Sequence, residues 1–244
     1  QPFDSQCALL ESGVGLMRAG VSLGLMVLLL AGCAAQGPTD EPFSRTAQWF
    51  SYLNGDDLRR DCRPGAPDRA RIVYNAVWGE QVRAYDLRPD TDGRYRLESR
   101  VFGGIQLDRF QFNDPLAVGR GVTTGNPVSN AQARALVDGL ARAGLGRPTP
   151  QGKTLWSDTY FWVATVCEAG RIRFQAWPEE QEAPVAATLL PLLAGIDTSG
   201  VPVSRPPAVT VVRRGTGYGG PSDENNVAFD IRVGREGLVT GGKL

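Results

Sequence analysis

In Arg94-Tyr95-Arg96-Leu97-Glu98-Ser99-Arg100-Val101-Phe102 the residues alternate as far as Val101: Tyr95, Leu97, Ser99 and Val101 fall on one side, and Arg94, Arg96, Glu98 and Arg100 on the other. Successive side chains of a strand point to opposite faces, so this period of two predicts a strand with one buried and one wet face. Pro89-Asp90-Thr91-Asp92-Gly93 supplies the turn before it.

Working outward, extended segments are expected over Arg71 to Trp78, Gln81 to Leu87 and Ile105 to Phe112. In the last of these the apolar phase slips from Ile105 and Leu107 to Phe110 and Phe112, which predicts a bulge at Asp108-Arg109. Upstream, Phe43, Ala47, Phe50 and Leu53 recur at three- and four-residue steps. They predict a helix that starts at Asp40 or Ser44 and is ended by Asn54-Gly55. Trp49 and Tyr52 lie off that stripe and read as core edge. Asp56 to Arg71 reads as a charged connection.

Downstream, Ser129-Asn130-Ala131-Gln132 is a capping box. Ala133, Leu136, Val137 and Leu140 form the stripe behind it, and Gly144 with Pro148 beyond ends a helix over Ser129 to Ala143. Tyr160 to Cys167 is apolar on both faces, as a central strand should be. Ala169-Gly170 then turns into the alternating run Ile172, Phe174, Ala176. Glu179 to Glu182 reads as an acidic break before a short helix, Pro184 to Leu193, in which Pro191 is expected to introduce a bend. Val209 to Val212 and Val227 to Val233 complete the extended segments. Hairpins outnumber crossovers, so the expectation is a single α+β domain with a mostly antiparallel sheet and two or three helices.

The N-terminal stretch carries a different message. Met17-Arg18 precedes an apolar run that ends in Leu30-Ala31-Gly32-Cys33, the layout of a secretory signal. These last four residues resemble the lipobox of bacterial lipoproteins. The resemblance implies lipidation of Cys33, removal of everything before it and, with Ala34 next, sorting to the periplasmic face of the outer membrane of a Gram-negative cell. Ala19 to Gly32 is well short of the ~20 residues needed to cross a bilayer core. Residues 1–16 read as an upstream extension of the reading frame and 17–32 as the signal. Residues 33–43 form a lipidated tether, 44–200 the globular domain, 201–226 a Pro/Gly-rich irregular segment, and 227–244 a C-terminal strand and tail.

With Cys33 given to lipid and Cys7 to the extension, Cys62 and Cys167 remain as an even pair in an oxidising compartment, and a disulfide between them is expected. It would close a loop of about 105 residues, worth ~4 to 5 kcal/mol on chain-entropy grounds.

Composition narrows the chemistry. Formal net charge is zero, with 26 basic and 26 acidic residues, which gives no dedicated nucleic-acid surface. Lysine occurs at 153 and 243 alone and arginine supplies the other basic residues, a pattern attributed to codon usage in a GC-rich genome rather than to anion sites. The chain holds no histidine, which removes imidazole-dependent triads and most catalytic zinc sites.

Gly152-Lys153-Thr154 ends like a phosphate-binding loop, but Arg147 stands where its first glycine is required. Gly215-Thr216-Gly217-Tyr218-Gly219-Gly220 satisfies a dinucleotide fingerprint by letter, but no helix follows. Asp90 to Gly93 lacks the later ligands of a calcium loop.

No cofactor or metal is therefore expected. Acid–base chemistry would need paired carboxylates, and Asp86 and Glu98, on neighbouring strands, are the candidates. The function expected is that of a lipid-anchored periplasmic binding or scaffold protein. It would be an accessory subunit held to the membrane by its lipid, with a protein partner contacted by Arg205, Arg213, Arg214 and Tyr218. The alternative is a carboxylate-based cell-envelope hydrolase or glycan-binding protein that uses exposed aromatics such as Trp78, Trp156 and Trp177.

Overall fold

The alternation beginning at Arg94 folds as the third strand of a six-stranded antiparallel sheet. A computed structural model of the chain describes residues 49–78, 80–103, 121–206 and 230–240. Its strands are β1 (Arg69–Ala76), β2 (Gln81–Pro89), β3 (Tyr95–Phe102), β4 (Val122–Val128), β5 (Thr154–Trp156), β6 (Tyr160–Glu168), β7 (Arg171–Trp177), β8 (Asp230–Val233) and β9 (Leu238–Thr240). The main sheet runs β4-β3-β2-β1-β6-β7, and a small second sheet runs β5-β8-β9. All pairings are antiparallel. The helices are α1 (residues 49–54), α2 (Asp56–Asp61), α3 (Asn130–Ala143) and α4 (Glu182–Ala194), the last preceded by a 3-10 turn, Glu179–Gln181. The α+β class and the antiparallel sheet are thus as the sequence leads one to expect.

Helices α3 and α4 cover one face of the main sheet. Leu136 and Leu140 of α3 and Val185, Leu189 and Leu193 of α4 pack on Ile72, Tyr74, Leu87, Leu97, Trp162 and Val166. The opposite face, with Val73, Val82, Ala84, Phe161, Val163 and Phe174, is covered by Leu53 of α1 and by Leu155, Ile231, Val233 and Leu238 of the small sheet. Central strands β1 and β6 are therefore buried on both sides. Strand β3 keeps its alternation because cover ends before its outer face, where Arg96 stays exposed.

Helix α3 is built as its signals require. Ser129 Oγ accepts from the Gln132 amide at 3.2 Å, and Gln132 Oε1 accepts from the Ser129 amide at 2.9 Å. Gly144 closes the helix at φ 115°. Ser129→Ala removes one arm of this box and should cost about 1 kcal/mol. It should appear as a lower urea midpoint with an unchanged slope; an unaltered midpoint would mean that the box is idle.

Several expectations are corrected. The first helix does end at Asn54, but Gly55 turns left-handed at φ 70° and a further helix, α2, follows where a connection was expected. Asp56 and Asp57 in the first turn of α2 and Arg59 and Arg60 in its last suit the helix dipole. A Cβ on Gly55 would lie 2.9 Å from Thr165 of β6, so glycine also permits the close approach. With this division the described residues hold four helices, close to the two or three expected.

Strand β4 was not anticipated, since Gly125 and Pro127 are poor strand formers. It forms because β3 offers it a full ladder, from Tyr95 opposite Val128 to Val101 opposite Val122, and proline is tolerated on an edge strand. The three-residue strands β5 and β9 are too short to leave a periodic signal. The acidic break becomes the 3-10 turn and the first residue of α4, and Pro191 lies inside that helix. The strand expected over Ile105 to Phe112 with its bulge, and that over Val209 to Val212, lie outside the described residues.

Cys62 and Cys167 form a disulfide with their Cα atoms 5.7 Å apart, tying the end of α2 to the end of β6.

Candidate functional site

The described residues form a cleft of about 500 Å³ at the outer edge of β7. Ile172 and Phe174 of β7 are among its lining residues, together with Arg59 of α2, Arg147, Pro148, Thr149 and Gln151 of the loop after α3, and Arg235 and Glu236 of the β8–β9 turn. The three arginines come from three separate parts of the chain.

Each wall is fixed by hydrogen bonds. Arg59 Nε donates to Asn54 O at 2.8 Å, and its guanidinium lies 5.3 Å from the centre of the Phe174 ring. The far end of that side chain, Nη2, is buried and has no hydrogen-bond partner among the described residues. Burial pulls the Arg59 pKa below its ordinary value, while Asp56 and Glu236 oppose the shift. Gln175 Nε2 donates to Gly144 O at 3.1 Å and to Arg147 O at 3.3 Å, securing the loop. Thr149 Oγ1 donates to Gly234 O at 2.9 Å and to Arg235 O at 3.0 Å, which locks the loop to the hairpin turn. Among the described residues none of the three arginines makes an ion pair.

The carboxylates considered for acid–base work do face each other: Asp86 lies opposite Glu98 in the β2–β3 register. Both are fully engaged. Asp86 Oδ1 accepts from Arg71 Nε at 2.7 Å and Oδ2 from the Tyr52 hydroxyl at 2.6 Å. Glu98 Oε2 accepts from Arg88 at 2.7 Å and Oε1 from Arg100 Nε at 2.6 Å. Arg71 also donates to both oxygens of Asp57 and lies over the Tyr52 ring, 3.8 Å from its centre.

Burial pushes the Tyr52 hydroxyl pKa up, and Asp86 adds to the shift. Burial works against the Arg71 charge, but Asp86, the Tyr52 oxygen and Asp57 outweigh it and raise its pKa. For Asp57 burial is likewise outweighed, by the hydrogen bond and charge of Arg71, and its pKa falls below the usual carboxylate value. These groups form a locked ionic lattice that fastens α1 and α2 to the sheet.

The tryptophans named as exposed aromatics part company. Trp156 is 43% exposed on β5, beside Asp230 in register. Trp78 is half-buried, 5.0 Å from Trp49. Trp177 is 3% exposed and donates its indole N–H to Ala143 O at 2.8 Å, so it belongs to the core and not to a surface platform. Trp49 and Tyr52 pack at the rim of the core, as expected.

Arg205 is exposed in the segment that follows α4. Arg213, Arg214, Tyr218 and the lipidation candidate Cys33 lie outside the described residues. Lys153 of the loop-like Gly152-Lys153-Thr154 string pairs with Glu180 at 2.8 Å, and Thr154 begins β5. Asp90 to Gly93 is the tight hairpin turn it reads as, closed by Asp90 N to Arg94 O at 2.8 Å.

Arg59, Arg147 and Arg235 escape a sequence reading because no local spacing links them, and in an arginine-rich chain each looks ordinary. Compared with known proteins, the chain matches no family model, no curated protein and no solved structure at a significant level.

Proposed function

We propose that the chain is a lipid-anchored periplasmic binding or scaffold protein, an accessory subunit at the inner face of the outer membrane. The address rests on Leu30-Ala31-Gly32-Cys33, and the disulfide suits an oxidising compartment. The observation that carries binding over catalysis is the state of Asp86 and Glu98: every oxygen of the facing pair already accepts a hydrogen bond. A general acid or base has to be within reach of substrate and able to exchange its proton, and these two are spent on structure. The protein partner would be met by Arg205 and by Arg213, Arg214 and Tyr218.

The test is in-cell photocrosslinking from Tyr218 in the wild type and in Cys33→Ser, with membrane fractionation of both. A discrete crosslinked partner, lost when Cys33→Ser moves the protein into the soluble fraction, is the expected outcome. No capture from Tyr218 or from Arg205, or a Cys33→Ser protein that stays with the membrane, would defeat the reading.

The alternative of a glycan binder draws on the exposed Trp156, since an open indole face stacks well on sugar rings. In its hydrolase form it requires that Asp86→Asn or Glu98→Gln abolish function at normal abundance.

A further inference from the structure

We infer that the cleft between α2, the loop after α3 and the β8–β9 turn is a binding site for a phosphomonoester group. This deepens the reading of the chain as a binding protein but does not depend on its lipid anchor.

Charge is the first reason. Arg59, Arg147 and Arg235 line the cleft with one acid, Glu236, a surplus of two positive charges among its lining residues, and Asp56 acts on Arg59 from outside that lining. Hydrogen bonds from Thr149 and Gln175 hold the loop and the turn that carry two of these arginines in place. A dianion balances the surplus.

Geometry is the second reason. Arg59 is anchored from behind through Nε and rests on Phe174. Gly237 comes so close that a Cβ there would stand 3.2 Å from Nη2. The guanidinium is thus held in place at the wall of the cleft. Guanidinium forks match the oxygens of phosphate and carboxylate alike. A carboxylate has two oxygens and one charge, and one arginine satisfies it. Three arginines suit a tetrahedral group with three terminal oxygens and two charges.

Size is the third reason. A volume of about 500 Å³ lies within the range of small-ligand clefts, roughly 300 to 1,000 Å³. Pro148, Ile172 and Phe174 give the remainder of the ligand an apolar wall. The phosphate could be free in solution or carried on a lipid.

The test uses the full chain, labelled with 15N-arginine and placed in phosphatidylcholine nanodiscs, with the side-chain Nε–H signals followed by NMR. Sodium phosphate at pH 8 and sodium acetate at equal ionic strength are added in turn. A second set of discs is doped with phosphatidic acid. Phosphate should shift the signals of Arg59, Arg147 and Arg235 along one saturable curve, with acetate at least ~10-fold weaker.

Arg147→Gln and Arg235→Gln, both at exposed positions, should each weaken phosphate binding by on the order of 10-fold while leaving the unfolding midpoint in place. Shifts in doped discs without added phosphate assign the group to a lipid, and shifts with phosphate alone assign it to a soluble ligand. Either supports the site. No saturable shift in either setting, equal response to acetate, or wild-type affinity in both variants overturns it. None of these failures touches the Cys33→Ser fractionation result, so the two readings fall separately.

Discussion

Arg83→Met is expected to cost about 3 to 5 kcal/mol, the penalty for stranding one member of a buried ion pair. Arg83 sits on β2, and its side chain is 1% exposed. Its Nε donates to Gln81 Oε1 at 2.9 Å and its Nη1 to Asp197 Oδ2 at 2.7 Å and to the Tyr85 hydroxyl at 3.3 Å; Nη2 donates to Val201 O. Methionine fills much of the volume but supplies none of these donors, so Asp197, 9% exposed, is left as an uncompensated charge.

The same side chain straps down the segment that follows α4. Gln81 Nε2 holds Pro202 O at 2.9 Å, Gln81 Oε1 accepts from Ser204 N at 2.9 Å, and the Tyr74 hydroxyl donates to Ser204 O at 3.0 Å. Urea denaturation gives the loss, and hydrogen exchange at Ser199, Val201 and Ser204 should accelerate before that of the sheet. Arg83→Met combined with Asp197→Leu should recover part of the loss, because removing both charges is much less costly than removing one. A single-variant loss below about 1 kcal/mol would show that the pair is not what holds the strap.

The second large effect is expected from Cys62→Ala with Cys167→Ala. The bridge spans a sequence separation of 105, and removing a native disulfide typically costs about 2 to 5 kcal/mol. Set against a total stability of about 5 to 15 kcal/mol, that is enough to lower the melting temperature markedly or to unfold the protein at growth temperature. The loss is not confined to the unfolded state, because the bond fastens the C-terminal end of α2, the helix that carries Asp57 and Arg59. Without it, the polar contacts that hold α2 to the sheet are Arg71 to Asp57 and Arg69 to Asp57 and Asp61. Melting of the wild type with and without dithiothreitol, beside the double variant, is the check. Reduction should lower the wild type to the level of the variant and leave the variant unmoved; equal melting in all samples would dismiss a stabilising role for the bridge.

What could be read from the chain followed from how local each signal was. Helix α3 carries its cap, stripe and terminator within its own residues, and its limits were legible. The Ala169-Gly170 turn was equally local, both residues having positive φ (49° and 73°) as a tight hairpin demands. Strand β4 was hidden because its reason to be extended lies in β3 and not in its own Gly- and Pro-bearing residues. That Asp86 stands opposite Glu98 could be anticipated from the hairpin. The pairing of Glu98 with Arg88 and Arg100 lies within that same hairpin, whereas the pairing of Asp86 could not be read, since Tyr52 and Arg71 reach it from α1 and β1. The arginine cleft was wholly illegible, because three long-range approaches create it and no two of its arginines are neighbours in sequence.

The place of β1 between β2 and β6 sets the order of events when the chain folds. The hairpins β1–β2 and β2–β3 need only short loops, but β1's other edge stays open until β6 arrives, with β2, β3, β4, α3 and β5 intervening in sequence among the described residues. Closing so long a loop before any contact rewards it makes folding slow. Meanwhile Ile72, Tyr74 and Ala76 lie along an open strand edge of the kind that recruits other chains. The hazardous species is therefore a half-built meander waiting for its sixth strand, and it is at this stage that a chaperone would have most to protect.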